Sequence, residues 1–193
     1  EDCAQAIGAK YEEFNVGQLG DFSCFSFHSQ KNITTLGEGG MLVTNTGFSK
    51  EFKELRINGH RPYKREEGAP YWLPAMVNTV ETIKGVLPMK STMSESQGLI
   101  GRLVFSRYHE LHEYRKDLLL VFKKALRCNE NLVFQQGIES TTHARHLLPL
   151  RVIGFNRDLL IQKLNGEYGI KAIIQYYPLN RYELFSNNDM VSH

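Results

Sequence analysis

Ser26-Phe27-His28-Ser29-Gln30-Lys31-Asn32-Ile33-Thr34-Thr35-Leu36-Gly37-Glu38-Gly39-Gly40 is the stretch whose reading decides the fold. Just before it, Phe22-Ser23-Cys24-Phe25-Ser26-Phe27 alternates aromatic and small residues, the period of two expected of a strand. Just after it, Gly40-Met41-Leu42-Val43-Thr44-Asn45 reads as a second strand, apolar enough to be buried. Lys31 therefore sits in a loop between a strand and a glycine-rich turn. Most lone lysines are solvated surface residues. The context here favours an amine nucleophile: Ser26 offers a hydroxyl for an anion, and Gly37, Gly39 and Gly40 allow a ligand close to the backbone. A partly desolvated lysine amine can form a Schiff base with a carbonyl. Neither G-x-G-x-x-G nor G-x-x-x-x-G-K-[ST] is present, so the glycines alone do not mark a nucleotide loop.

Upstream, Glu1-Asp2-Cys3-Ala4-Gln5-Ala6 reads as a strand end running into an alanine-rich turn. A carboxylate at Asp2 can keep a pyridine nitrogen protonated, the charge that makes pyridoxal phosphate (PLP) an electron sink. Capping a turn is the commoner role for an isolated Asp. Gln5 can reach the ring oxygen of such a cofactor or simply face water. His28 is expected to be structural. His109 and His112, three apart on a helix, lack a carboxylate signature and read as a solvated face rather than a metal site. His60, His143, His146 and His193 form no nucleophilic or metal constellation, and no Gly-x-Ser-x-Gly elbow occurs.

Composition bounds the rest. The 193 residues are 41% hydrophobic and 23% charged, with a net charge of +2, ordinary usage for a chain that buries a core. No run of like charge points to nucleic acid or a membrane surface, and no apolar run is long enough to span a bilayer. Three widely spaced cysteines, Cys3, Cys24 and Cys128, fit neither a disulfide framework nor a zinc site. With no signal-peptide layout, a cytoplasmic location is expected. The chain opens inside a strand end and its last residues are polar, which reads as a fragment.

Further elements are expected in order. Ser49 caps a helix over Lys50–Asn58, closed by Gly59. Residues 59–93 hold four of the six prolines and the single Trp, and read as a long loop with a helical piece around Val80–Lys84. Ser94-Glu95-Ser96-Gln97 resembles a capping box opening a helix that continues to about Arg127. Strands at Leu132–Phe134 and His146–Val152, a helix at Arg157–Glu167 closed by Gly169, and a strand at Ile170–Gln175 make a small α/β layer.

Taken together, Glu1-Asp2-Cys3-Ala4-Gln5-Ala6-Ile7-Gly8, Gly20-Asp21, Ser26-Phe27-His28 through Lys31-Asn32-Ile33-Thr34-Thr35, and Gly37-Glu38-Gly39-Gly40-Met41 resemble the DegT/DnrJ/EryC1/StrS aminotransferases. The likeness continues through Arg56–His60, the helix from Ser94, Leu148–Val152, and Gly169-Ile170 to Tyr177-Pro178-Leu179. It implies a fold type I α/β chain: residues 1–115 as part of the PLP-binding large domain, with a mixed, mostly parallel sheet, and residues 116–193 as an incomplete small C-terminal α/β domain. By the same resemblance Lys31 is the Schiff-base lysine and proton shuttle, Asp2 pairs with the pyridinium, Gln5 lies near the ring oxygen and Ser26 contacts the cofactor phosphate. The implied reaction moves an amino group, usually from glutamate, to a keto sugar, usually nucleotide-linked, in a homodimer. In Pro88-Met89-Lys90-Ser91-Thr92-Met93, Lys90 stands where the family places an Asn that meets the partner's phosphate. Residues 61–87 read as an insertion whose Tyr63, Tyr71 and Trp72 line a pocket or pack the loop. The alternatives are a PLP sugar dehydratase, whose members carry His at the position of Lys31, and a truncated or degenerate non-catalytic homologue.

Overall fold

The structure, a computed structural model of the 193-residue chain, describes residues 1–59, 61–62, 76–77 and 82–186. In chain order the elements are β1 (Lys10–Tyr11), β2 (Phe14–Asn15), β3 (Phe22–Ser26), β4 (Gly40–Thr44), a 3₁₀ turn Gly47–Lys50, α1 (Phe52–Leu55), β5 (Arg61–Pro62), β6 (Met76–Val77), α2 (Glu95–Ser106), α3 (Tyr108–Leu126), β7 (Leu132–Phe134), β8 (Thr141–Thr142), β9 (Leu150–Val152), α4 (Arg157–Tyr168), a 3₁₀ turn Leu179–Arg181 and α5 (Glu183–Ser186). They divide into two compact units, Glu1–Ala125 with Gln135–Pro149, and Leu126–Phe134 with Leu150–His193.

The first unit is built around β3. On one side Asp2 pairs with Cys24 in parallel. The Cys3 amide donates to Cys24 O at 2.9 Å, and the Cys24 amide to Glu1 O at 3.0 Å. On the other side β4 runs antiparallel, Phe22 opposite Thr44 and Ser26 opposite Gly40. Glycine is needed at position 40, because a Cβ there would lie 2.7 Å from the Phe25 carbonyl oxygen. The Glu1 carboxylate ties the turn before β3 to the strand, accepting from the Gly17 amide at 3.1 Å, the Gly20 amide at 3.3 Å and Ser23 Oγ at 3.1 Å. Burial alone would raise its pKa; these bonds outweigh that and hold it below the usual carboxylate value. Of the buried side chains, Cys3, Ser23, Phe27, Ile33, Thr35 and Ala144 lie in β3, the chain beside it, the lysine loop and the segment bonded to that loop, and Ile83 lies apart from these segments. β8 joins β1 and β2 in a second small sheet.

Several elements differ from the sequence expectation, each for a local reason. β4 is not buried: Met41 and Leu42 are 52% and 46% exposed, and among the described residues β3 is its sole ladder partner. The helix expected over Lys50–Asn58 is a 3₁₀ turn followed by one short α-turn, and its N-cap is Thr46, whose hydroxyl accepts from the Phe48 amide, not Ser49. Gly59 does take a positive φ of 71° after it, its amide bonded to Glu54 O at 2.8 Å. Residues 82–84, the described part of the helical piece around Val80–Lys84, enter a tight turn instead. Ile83 bridges Val86, with positive φ at Lys84 and Gly85. Tyr63, Tyr71 and Trp72 lie outside the described residues.

The long helix begins as expected. Ser94 accepts from the Gln97 amide, and the Gln97 side chain accepts from the Ser94 amide, a full capping box. It then divides at Arg107 into α2 and α3. Ser106 Oγ donates back to Leu103 O at 2.8 Å, a competing bond of the kind that bends helices.

In the second unit β7 and β9 pair antiparallel, Leu132 opposite Val152 and Phe134 opposite Leu150. Only Leu150–Val152 of the expected strand His146–Val152 is a strand. α4 is capped by Asn156, which accepts from the Asp158 and Leu159 amides, and closed by Gly169 at φ 65°. The strand expected at Ile170–Gln175 does not form. The Asn165 carboxamide takes both backbone groups of Ala172, accepting from its amide at 3.0 Å and donating to its carbonyl at 3.3 Å, and Ile173 is 60% exposed.

Candidate functional site

The segments that carry Asp2, Gln5, Ser26 and Lys31 leave the sheet at one end. Glu1–Cys3 and β3 run in the same direction, so both chains leave the sheet at the same end. There the first turns through Ala4–Gly8, carrying Gln5, and the second runs into the lysine loop. Ligands of α/β sheets bind outside such carboxyl ends. Side chains alternate along a strand, and paired residues share a face. Asp2 pairs with Cys24, and Ser26 is two residues beyond Cys24, so Asp2 and Ser26 project from one face. Ser23, on the opposite face, is buried.

Asp2 and Ser26 each keep part of their hydrogen-bonding capacity free. Asp2 is exposed and its Oδ1 accepts from the Ala4 amide at 3.0 Å. This is the turn-capping role, and it leaves Oδ2 without a partner among the described residues. Ser26 Oγ accepts from the His28 amide at 3.3 Å, and among the described residues its O–H has no acceptor. Gln5 is exposed on the turn.

The lysine loop is closed by backbone bonds across its neck. Phe27 N donates to Gly39 O at 2.8 Å, Ser29 N to Gly37 O at 2.8 Å and Thr35 N to Phe27 O at 3.0 Å, while Lys31 N donates to His28 O at 2.9 Å. Beneath it Ile33 and Thr35 are each 2% exposed, and Thr35 Oγ1 donates to Glu38 O at 3.0 Å. Gln97 Nε2 donates to the same carbonyl at 2.7 Å, so the residue that completes the α2 capping box also holds the glycine turn. Lys31 itself is half-buried, and among the described residues no acceptor or carboxylate holds its Nζ.

The glycines behave differently from the expectation that they admit a ligand. A Cβ on Gly39 would collide with Thr35 Oγ1 and Met93 Sδ, and one on Gly40 with the Phe25 carbonyl; only Gly37 faces open space. Gly39 and Gly40 make room for the chain's own packing. His28 is structural, as expected: Nδ1 accepts from the Gln30 amide at 3.2 Å, and Nε2 lies 3.7 Å from Glu38 Oε1.

Lys90 does not join this group. It bridges Ile57 and lines an open cleft of about 1640 Å³ with Gly39, Gly40, Arg56, Met93 and Arg102, a cleft that Asp2, Gln5, Ser26 and Lys31 do not line.

Two residues without a role in the sequence reading do. Asn32 Nδ2 donates to Ala144 O at 2.8 Å, and Asn32 Oδ1 lies 3.1 Å from His146 Nδ1. The pairs are 112 and 114 residues apart, so no local pattern signals them. Arg115 Nη1 on α3 donates to the carbonyls of Arg145 and His146, both at 3.3 Å. Burial, with the positive charges of Lys31 and Arg115, holds the His146 pKa below its usual value. His112 is held low by burial and then by Arg145, and its Nδ1 lies 3.3 Å from the Tyr108 hydroxyl. Tyr108 is raised by burial and donates to Ile7 O at 3.2 Å. Among the described residues no group of three or more His, Cys, Asp or Glu could hold a metal, and no helix is long and apolar enough to cross a membrane.

Comparison with known proteins points the same way. GDP-perosamine synthase of Caulobacter vibrioides is 29% identical over 185 residues, covering 93% of this chain and 45% of the relative. UDP-N-acetyl-3-dehydro-alpha-D-glucosamine 3-aminotransferase of Acidithiobacillus ferrooxidans is 47% identical over 60 residues, 31% of this chain and 16% of the relative. Among solved structures, the pyridoxamine-phosphate (PMP) form of the putative sugar aminotransferase Spr1654 from Streptococcus pneumoniae superposes with a TM-score of 0.81 at 26% identity, covering 97% of this chain and 47% of that one. The chain thus spans less than half the length of the relatives it matches from end to end. A family model matches residues 1–193, and the chain belongs to the DegT/DnrJ/EryC1/StrS aminotransferase family.

Proposed function

We propose that this chain carries the Schiff-base half of a PLP-dependent sugar aminotransferase. The observation that supports the reading is the parallel course of Glu1–Cys3 and β3, which lead at one end of the sheet to Gln5 and to the Lys31 loop. Among the described residues the Lys31 amine, one Asp2 oxygen and the Ser26 proton have no partner, and the Gln5 carboxamide is exposed. That donor set fits PLP, which, when bound, supplies the electron sink for moving an amino group. In this reading Lys31 Nζ holds the cofactor and carries the proton. Asp2 Oδ2 faces the ring nitrogen and keeps it protonated. Ser26 Oγ donates to the phosphate, and Gln5 turns its carboxamide to the ring oxygen. Lys90 meets a phosphate across a homodimer as a point charge.

The substrate is a keto sugar linked to a nucleotide, with glutamate as amino donor, and the product enters amino-sugar or surface-glycan synthesis in the cytoplasm. Residues 1–115 are the PLP-binding part and residues 116–193 belong to the small domain. The names of the relatives, one a GDP-sugar enzyme and one acting on a UDP-linked dehydro sugar, support the substrate class. A lysine rather than a histidine at position 31 favours amino transfer over dehydration.

The test is a two-part assay on the intact protein with PLP, glutamate and a UDP- or GDP-linked keto sugar. The expected result is 2-oxoglutarate released beyond one equivalent per site only when PLP and the keto sugar are both present, and lost in Lys31→Ala. No 2-oxoglutarate with either nucleotide sugar overturns the reading of donor and acceptor. Undiminished activity in Lys31→Ala overturns the site.

A further inference from the structure

We propose that Asn32 and His146 are positioning residues for Lys31: the Asn32 carboxamide, held between the Ala144 carbonyl and the His146 ring, fixes the loop that presents the lysine. The inference rests on the assignment of Lys31 as the PLP lysine and adds how that side chain is kept in place. The hydrogen-bond logic leaves one arrangement. Ala144 O can only accept, so the Asn32 amide nitrogen must face it, at 2.8 Å. Asn32 Oδ1 is thereby turned to His146 Nδ1, at 3.1 Å. An oxygen acceptor there requires His146 to carry its proton on Nδ1, the reverse of the tautomer that imidazole prefers in water.

The clamp has a firm base. Ala144 is 4% exposed, and Arg115 on α3 donates to the Arg145 and His146 carbonyls, the two that flank the His146 Cα. The charged groups that act on His146 are Lys31 from the loop and Arg115 from α3, and both oppose its protonation, as burial does. His146 is therefore neutral at pH 7. It serves as a donor through Nδ1–H and places no positive charge beside the lysine amine.

Two measurements on the intact protein test this. The first is the His146 tautomer, read by long-range ¹⁵N–¹H correlation on ¹⁵N-histidine-labelled protein. The expected state is neutral and Nδ1-protonated in wild type, reverting to Nε2-protonated in Asn32→Ala. The second is the rate at which PLP becomes fixed to Lys31, read by borohydride trapping and peptide mass spectrometry. His146→Asn keeps an N–H donor at the place of Nδ1 and retains the wild-type rate. His146→Gln, which mimics Nε2, loses about tenfold, the scale of one or two lost hydrogen bonds. An Nε2-protonated His146 in wild type, or equal rates for His146→Asn and His146→Gln, overturns the proposal. If wild-type Lys31 takes up no PLP, the proposed function fails instead, and the tautomer alone then decides whether the clamp exists.

Discussion

The lysine loop, residues 28–37, and the stretch Ile170–Gln175 make an instructive pair. The loop is mostly polar and runs into a glycine-rich turn, the composition of a surface turn, yet its own Ile33 and Thr35 are among the best-buried side chains of the first unit and it has backbone bonds across its neck. Ile170–Gln175 holds three isoleucines within six residues, the composition of a strand, yet no strand forms there. The difference lies in neighbours. Within the loop Ser29 N donates to Gly37 O, Lys31 N to His28 O and Thr35 N to Phe27 O, and the Asn32 side chain donates to Ala144 O. Among the described residues the backbone of Ile170–Gln175 is met at its first residue, where the Ile170 amide donates to Leu164 O at 2.8 Å, and at Ala172 by the Asn165 side chain. Order follows the supply of partners for buried and polar groups rather than apolar content.

Substitutions can break this contrast, and the largest effect is expected at the site itself. Asp2→Asn keeps the cap on the Ala4 amide but removes the charge that the proposed assignment turns to the ring. Amino transfer in the intact protein should fall on the order of 10²-fold or more, while PLP still attaches to Lys31. Ser26→Ala comes next. It removes one charge-assisted donor, so PLP affinity measured by fluorescence titration should drop by about tenfold.

The glycine turn separates packing from ligand access. Gly40→Ala places a methyl against the Phe25 carbonyl and should destabilise the protein by about 1–3 kcal/mol in urea denaturation. Gly37→Ala meets nothing and should stay within about 0.5 kcal/mol of wild type. Equal costs would mean that the turn is not packed as described.

Acid should act before the carboxylates titrate. His112, His143 and His146 are all held below 6.5, chiefly by burial. Below that pH the unfolded chain takes up protons that the folded chain refuses, so stability falls as pH drops from about 6.5 toward the lowered folded values, and is flat above that window for these groups. Denaturation midpoints at pH 7.5 and 5.5 check this, and His146→Asn should shrink the difference. The smallest effect is expected in the contrasting stretch: Ile174→Thr, at a site 51% exposed, should change stability by no more than about 0.5 kcal/mol.

What was legible in the sequence was what local rules decide. The Ser94–Gln97 capping box and the left-handed Gly169 need only their own helices. The strand end at Glu1–Cys3 and the strand Phe22–Ser26 were legible too, and the structure sets them side by side in parallel. What was not legible depends on distant neighbours. The exposure of β4 reflects the lack of a second described strand beside it. The break at Arg107 falls beside Ser106, whose hydroxyl bonds back to Leu103 O. The Asn32 clamp joins residues more than a hundred positions apart, and the helical reading of residues 82–84 failed because Lys84 and Gly85 take the positive φ of a tight turn.

The most direct test of the central claim is the identity of the residue that PLP occupies. The intact protein is loaded with PLP, reduced with borohydride and digested, and the modified peptide is sequenced by mass spectrometry. The account predicts one modified site, Lys31, with the label lost in Lys31→Ala. Label found mainly on another lysine, Lys90 included, would contradict it.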